Sequence, residues 1–264
     1  MSGRSRDWLR SLHAEWTKLR TTPSTGWLLL AGVAFTVAVG AATASGTDPS
    51  RCPPAEACIV DTTRLSLTGV WLGQAAVVVL AVLAATNEYG SRLVHTTLAA
   101  NPRRGTVLLT RAVVVTGAVL GAGAVAVAGS LLAGRIILAG NGFPPPSLAD
   151  GPALRAAAGT VLYFGLVGLL GLGVGTVVRD SAGAVTAVLA LLYGFPVVAT
   201  FLASDPEWYD RLQRIGPTTA GLAIQVTVGL DELPIGPWAG LGVLAGYAGA
   251  AVLLGALLFR FRDA

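Results

Sequence analysis

The chain has 264 residues, of which 53% are hydrophobic and only 12% are charged, and its mean hydropathy is +0.68. Soluble globular domains carry about 25% charged residues, so this composition excludes a soluble enzyme or binding domain and predicts an integral membrane protein. The net charge of +4 does not indicate a nucleic-acid partner, because basic loops are an ordinary feature of membrane proteins.

Residues 1–25 are predicted to form an amphipathic helix that lies on the membrane surface. Large apolar side chains recur there at helical spacing, at Trp8, Leu9, Leu12, Trp16 and Leu19. Five cations surround them. Tryptophans at headgroup depth with cations in water are typical of an interfacial helix, so membrane lipid is its expected partner.

Six apolar runs follow, each of about the 20 residues that a bilayer core requires. They lie at about 26–44, 68–86, 112–139, 153–178, 182–203 and 237–259. We therefore predict an all-α integral membrane protein with six transmembrane helices in a single domain, residues 1–264.

The segment between the fifth and sixth runs, residues 204–236, is neither a span nor a simple loop. Asp205, Pro206 and Glu207 are a strong helix start, with a capping side chain, a proline in the first turn and an acid near the positive end of the dipole. Residues 219–230 are apolar but too few to cross a bilayer, so we expect a re-entrant or interfacial helix packed against the bundle. In the six-span arrangement we place outer re-entrant helices before the last span.

Charge placement predicts the orientation of the six spans. If both termini are inside, twelve of the 18 cationic residues and five of the 14 acidic residues are cytoplasmic. An excess of Lys and Arg in cytoplasmic segments is the usual determinant of orientation. Both termini are therefore expected in the cytoplasm.

A basic segment, residues 87–111, separates the second and third runs. Residues 91–100 contain no Gly or Pro and can form a short helix that stops before Pro102. Leu93, Thr96 and Thr97 then share one face, to which another protein can dock. The alternative is a solvated loop whose arginines only fix orientation.

The loop after the first run contains the only two cysteines, Cys52 and Cys58. If this loop faces an oxidising compartment, the two thiols can close a small disulfide ring. A metal site is not expected, because two thiols without a nearby histidine fall short of a closed zinc shell.

No catalytic motif is present in the sequence. It has no phosphate-binding Gly-x-x-x-x-Gly-Lys-Ser/Thr loop, and its two histidines, His13 and His95, have no metal-binding spacing and lie outside the spans. We therefore expect no catalytic residues, no bound cofactor and no enzymatic activity in this chain. A lipid transferase would need clustered polar residues at one interface, which the sequence lacks.

The predicted spans contain few polar groups. Gln74 in the second span either faces a substrate path or bonds to a neighbouring helix, and Pro196 in the fifth span can kink that helix for structural or gating reasons. Three Gly-x-x-x-Gly pairs allow close helix packing, at 117/121, 171/175 and 242/246, although such pairs arise easily by chance among 34 glycines.

Three short motifs carry a resemblance to a known family. Residues 14–21 read Ala-Glu-Trp-Thr-Lys-Leu-Arg-Thr directly before a span, and the segment after span two contains Asn-Glu-Tyr at 87–89, Thr-Thr-Leu at 96–98 and Pro-Arg-Arg at 102–104. Residues 216–221 read Gly-Pro-Thr-Thr-Ala-Gly. In this order, and with six spans, the chain resembles bacterial ABC transporter permeases of the type-2 exporter class.

The resemblance implies a transport subunit in the bacterial plasma membrane. Two copies of a separate ATPase would use ATP and Mg, and a second permease half would complete a homodimer or heterodimer. Residues 91–100 would be the coupling helix that rests on the ATPase, with Glu88 and Arg92 as polar contacts and Leu93, Thr96 and Thr97 on the docking face.

The resemblance also implies that the cargo moves by alternating access, along a path between spans two and five near Gln74 and Pro196. The apolar character of those spans favours a hydrophobic or amphipathic cargo. The alternatives are an ATP-independent secondary carrier, which usually needs ionisable groups within the membrane, and a membrane assembly or anchoring protein.

Overall fold

A computed structural model describes residues 3–47, 60–90, 104–147, 149–201 and 206–261. All regular structure in these ranges is helical. In chain order the α-helices are α1 Gly3–Thr21, α2 Pro23–Ser45, α3 Thr62–Ser66, α4 Val70–Gly90, α5 Arg104–Gly140, α6 Gly151–Val178, α7 Ser181–Phe201, α8 Pro206–Ile215, α9 Pro217–Leu222 and α10 Pro237–Phe261.

Six of these helices, α2, α4, α5, α6, α7 and α10, are long and apolar enough to cross a membrane. They coincide with the six predicted runs and confirm an all-α, multi-pass membrane protein. Since the described residues contain an even number of such helices, the start of α2 and the end of α10 lie at the same end of the bundle. We call that end the terminal face and the opposite end the distal face.

The third span differs from its prediction at its start. The apolar run begins near residue 112, but α5 begins at Arg104 and has 37 residues. At 1.5 Å per residue it is about 55 Å long, well beyond a hydrocarbon core of about 30 Å. Arg111, which the sequence places in a loop, therefore lies on a helix, in the first three turns of α5 at its amino-terminal end.

The core of the bundle is built around α6, the most buried of the six spans. It packs against α10, α4, α5 and α7, while α2 packs against α4 and α5. A Cβ atom added at Gly175 would lie 2.9 Å from Ala85 Cβ on α4, so the Gly171/Gly175 pair permits close packing. At the glycines of the other two pairs, an added Cβ atom would have no atom within 4 Å, so these pairs mark no close helix contact. They are Gly117, Gly121, Gly242 and Gly246.

The re-entrant segment before the last span is a short helix followed by a turn of 3-10 helix, Ala223–Gln225. It packs against α10 and α6 inside the bundle. A Cβ atom at Gly240 of α10 would lie only 2.0 Å from the Ala220 carbonyl oxygen. This close approach requires glycine at position 240 and holds α9 directly on the last span.

Candidate functional site

A buried polar cluster lies in the middle of the bundle. Gln74 on α4 and Tyr163 on α6 are both fully buried, and the Tyr163 hydroxyl donates a hydrogen bond of 2.5 Å to Gln74 Oε1. Tyr193 on α7 donates to the backbone carbonyl of Trp71 on α4. The cluster therefore joins three spans, of which α4 and α7 are the pair predicted to border a substrate path.

Two polar atoms of this cluster have no hydrogen-bond partner of normal geometry among the described residues. They are Gln74 Nε2 and the hydroxyl oxygen of Thr218, on α9. Tyr193 lies close to Gln74, and Tyr163 lies close to Thr218. An unsatisfied buried donor costs about 1–3 kcal/mol, so the two nearby tyrosine hydroxyls are the natural partners of these atoms.

Pro196 lies three residues beyond Tyr193 on the same helix. It is half-buried, and α7 continues through it to Phe201. Proline has no backbone N–H, so the helix lacks one hydrogen bond at this point. Pro196 has no side-chain donor or acceptor, so it makes no hydrogen bond in the polar cluster. Tyr193, which belongs to the cluster, lies on the same helix.

An ion cluster joins three helices at the terminal face. Glu15 on α1 and Arg111 on α5 are both almost fully buried, with 3.5 Å between Arg111 Nε and Glu15 Oε2. Arg111 Nη1 donates to the Ala85 carbonyl oxygen on α4 at 3.4 Å, and Lys18 Nζ lies 2.9 Å from Glu15 Oε1. This cluster attaches the amphipathic helix to the bases of α4 and α5, which flank residues 91–103.

Several predicted site residues lie outside the described ranges. These are Arg92, Leu93, Thr96 and Thr97 of the proposed docking face, and both cysteines, Cys52 and Cys58. Glu88 belongs to the last turn of α4. The structure therefore describes the two helices on either side of the proposed coupling segment, and the roles of the segment's own residues stay predictions.

The distal face carries a set of hydrogen bonds that we call the distal clasp. Asp61 accepts bonds from the Arg64 N–H at 2.9 Å, from the Thr227 hydroxyl at 2.7 Å and from the Thr227 N–H at 2.5 Å. Arg155 on α6 donates to the Val226 carbonyl oxygen. The clasp ties the end of the re-entrant segment to the loop before α3 and to α6.

An apolar crevice lies between α2, α4 and α5, with Phe164 of α6 beside it. It is a groove open to the surface, with about 280 Å³ of empty space when the open space at its mouth is counted. Its lining is entirely aliphatic, aromatic or glycine, comprising Leu28, Leu29, Gly32, Val33, Gly73, Ala76, Val77, Leu80, Val119, Ala122, Gly123, Ala126 and Phe164. Such a lining suits a hydrocarbon chain and offers no group to bind a polar molecule.

Sequence reasoning identified Gln74 as the clearest polar group of the spans but did not predict its tyrosine partner, and it missed the clasp formed by Asp61. Asp61 precedes Thr62 and Thr63 at the start of a short helix, which is a recognisable capping pattern. Its second partner, Thr227, is 166 residues away and leaves no local signal.

The geometry defines a multi-pass helical membrane protein with a buried polar cluster at mid-depth and an ion cluster at its terminal face. Comparison with protein-family models found no match, and comparison with curated proteins found none either.

Proposed function

We propose that this chain is the membrane-spanning permease subunit of an ATP-driven exporter of the ABC type-2 class. It would work with two copies of a separately encoded ATPase and with a second permease half, in the bacterial plasma membrane. The terminal face would be cytoplasmic. The observation that carries the proposal is the ion cluster of Glu15, Lys18 and Arg111, together with the segment that its helices flank.

The ion cluster supports the proposal because it joins the parts that a partner ATPase would have to move. The bond from Arg111 to the Ala85 carbonyl oxygen links α5 to α4, and the Glu15 pair adds α1. A push on residues 91–103 would then reach both spans together. The partner supplies ATP and Mg, and this chain has no phosphate-binding loop of its own.

The lack of acidic residues and histidines in the spans argues against an ATP-independent secondary carrier. The six span windows, 23–45, 70–87, 108–140, 151–178, 181–201 and 237–258, contain no Asp, Glu or His. Ion-driven carriers usually place such groups at mid-membrane, where they relay protons or bind the coupling ion. An energy source outside this chain therefore fits better than an ATP-independent carrier.

The cargo would be hydrophobic or amphipathic. The apolar crevice provides a wall of apolar side chains and glycines. The cluster of Gln74 and Tyr163 lies beside it, since Gly73 and Phe164 both line the crevice. Outward movement of such a cargo would pass between α4 and α7, where Tyr193 and Pro196 lie. Apolar contact and a few polar groups are the usual means of recognising an amphipathic molecule.

The test is co-purification of the tagged chain from its native host in mild detergent, followed by assay of bound ATPase. One variant carries residues 91–100 in scrambled order. A second carries Glu88→Gln together with Arg92→Gln. A control variant carries residues 141–147, from the opposite face, in scrambled order. We expect the parent and the control to retain a P-loop ATPase, and the first variant to lose it.

The charge variant separates docking from coupling. We expect it to retain the ATPase but to lose stimulation of ATP hydrolysis by cargo. A parent chain that purifies without any ATPase refutes the proposal and favours a carrier or an assembly factor. Equal retention by the parent and both scrambled variants refutes the assignment of the coupling segment.

A further inference from the structure

Helix α7 packs against its neighbours differently from the other five spans. In each of those five, a glycine permits close approach to a neighbouring segment, so that an added Cβ atom would meet it at less than 3.0 Å. The pairs are Gly69 with Thr36 at 1.9 Å, Gly134 with Ser66 at 2.0 Å, Gly173 with Ala251 at 2.6 Å and Gly175 with Ala85 at 2.9 Å. The two glycines of α7, Gly183 and Gly194, make no such contact with another span. Helix α7 therefore lacks the close backbone packing that fixes the others.

The buried face of α7 is smooth and aliphatic. Ala184, Val188 and Leu192 are fully buried and follow one another at intervals of four residues, so they lie along one side of the helix. The helices on that side include α4, α6 and α9. These are the three helices that carry the other members of the buried polar cluster. Helix α7 therefore forms one wall of that cluster and is held there mainly by apolar contact.

The connection between α6 and α7 has the form of a hinge. It consists of two residues, Arg179 and Asp180. Arg179 is left-handed, with a φ of 61°, and its N–H ends α6 by donating to the Gly175 carbonyl oxygen at 3.0 Å. Asp180 begins α7, since its carboxylate accepts a 2.6 Å hydrogen bond from the Gly183 N–H. Each helix end is completed by its own residues, so the connection can turn without breaking either helix.

A tyrosine provides the polar attachment of α7 to α4. The Tyr193 hydroxyl donates to the Trp71 carbonyl oxygen, and the two rings lie 6.2 Å apart. Distal to this bond, Phe195 lies against Gly216 through apolar contact, and Phe201 at the end of the helix is 80% exposed. The distal half of α7 therefore depends on the Tyr193 bond for its position against α4.

We propose that α7 is a gate that turns about Arg179 and Asp180, is kept closed by the bond from Tyr193 to Trp71, and exposes the buried polar cluster to the distal face when it opens. The hinge is at the terminal face, so the distal end moves furthest. Val198 lies 18 residues beyond Asp180, or about 27 Å along the helix, so a turn of about 15° moves it by about 7 Å. Packed helices are usually about 8–10 Å apart, and such a movement separates α7 from α4.

This gate goes beyond the proposed function, because it would serve an ATP-independent carrier as well as an ABC exporter. It assigns the movement to one span within a single copy of the chain. The remaining spans, which are joined by the close glycine contacts, act as the frame against which α7 turns.

The first test measures access to the distal part of α7 in the full chain. Ala199→Cys reports on the gate, because Ala199 is 2% exposed near the distal end of α7. Ala153→Cys is the control reporter, because Ala153 is 4% exposed near the distal end of α6. Both are made in a background with Cys52→Ser and Cys58→Ser. The readout is the rate of labelling by a charged, membrane-impermeant maleimide in open membrane fragments.

Each reporter is combined with one of two tyrosine substitutions. Tyr193→Phe removes the bond that keeps the gate closed. Tyr247→Phe is the matched control, because the Tyr247 hydroxyl also donates to a backbone carbonyl, that of Ile215, at 3.2 Å. When closing is faster than labelling, the rate follows the population of the open form. Loss of one hydrogen bond raises that population about tenfold.

We therefore expect Tyr193→Phe to accelerate labelling of Ala199→Cys about tenfold and to leave Ala153→Cys unchanged. Tyr247→Phe should change neither reporter. An unchanged rate at Ala199→Cys would overturn the proposal. An equal acceleration at both reporters would also overturn it, because it would show that Tyr193 stabilises the whole bundle and not one movable span.

A second measurement uses exposed positions, at which a label does not disturb packing. Spin labels on Leu72→Cys of α4 and Val198→Cys of α7 report their separation, since these side chains are 49% and 46% exposed. The control pair is Leu72→Cys with Leu162→Cys of α6, which is 43% exposed. Labelled chain is diluted with unlabelled chain, so that distances within one copy are measured.

Tyr193→Phe should add a population whose α4–α7 distance is about 7 Å longer, and it should leave the α4–α6 distance as it is. A single, unaltered α4–α7 distance would refute the gate. Neither measurement involves an ATPase. Failure of the gate is therefore distinguishable from failure of the proposed function, which the co-purification tests.

Discussion

Replacement of Asp61 by alanine tests whether the distal clasp holds the re-entrant segment in place. The carboxylate accepts one bond that caps α3 and two bonds from Thr227. Loss of a helix cap costs about 1 kcal/mol, and each hydrogen bond to a charged group contributes about 1.5–3 kcal/mol. Asp61 and Thr227 are only half-buried, so the low end of the second range applies, and loss of the two Thr227 bonds should cost the re-entrant segment about 3 kcal/mol.

The loss should appear as local opening at the end of the re-entrant segment. A change of about 3 kcal/mol corresponds to about a hundredfold faster hydrogen exchange, since 1.36 kcal/mol is a factor of ten. The measurement is hydrogen–deuterium exchange of peptides that cover residues 217–228, in the purified chain in detergent. Peptides from α6 provide an internal reference, because that helix is the most buried span.

Asp150 provides a matched control. It stands at the start of α6 as Asp61 stands at the start of α3, but its side chain makes no capping hydrogen bond. Asp150→Ala should leave exchange in residues 217–228 unchanged. If Asp61→Ala and Asp150→Ala give the same exchange there, the clasp does not hold the segment and the reasoning is refuted.

Two further substitutions test other contacts. Glu15→Gln should release α1 from the bundle and accelerate its cleavage by added protease, because the charge opposite the buried guanidinium of Arg111 is lost; unchanged cleavage would contradict this. Gly240→Ala should lower the thermal unfolding temperature of the purified chain by an amount equivalent to about 1–3 kcal/mol, since its Cβ would lie 2.0 Å from the Ala220 oxygen. Gly242→Ala is the control, with nothing within 4 Å of its Cβ, and an equal effect of both changes would count against this packing.

The spans were predictable because each is a continuous apolar run whose length matches a bilayer. The ends of the spans were harder to predict. α5 begins eight residues before its apolar run, at Arg104 rather than near residue 112. Hydropathy detects the part of a helix that lies in lipid, and it carries no information on how far the helix continues into water. The position of Arg111 on a helix, facing Glu15, follows from that continuation.

The candidate site was predictable only in its individual residues. Gln74 stands out in the sequence as a polar group within a span, and burial of such a group requires a partner. Its partner is Tyr163, 89 residues along the chain, and a tyrosine in an apolar run has no feature that distinguishes it from a lipid-facing one. Which residue meets the glutamine depends on the rotation of α4 and α6 about their axes, and side-chain packing determines that rotation.

The amino-acid sequence alone determined that this protein is a six-span helical membrane protein with an amphipathic N-terminal helix and a short apolar segment before its last span. Run length, helical periodicity and capping residues are local properties, so they can be read without a fold. The tertiary structure alone decided which polar groups meet. Glu15 with Arg111, Gln74 with Tyr163 and Asp61 with Thr227 are joined across helices. In an apolar bundle, buried polar groups must find partners wherever packing brings them, and sequence distance does not limit that choice.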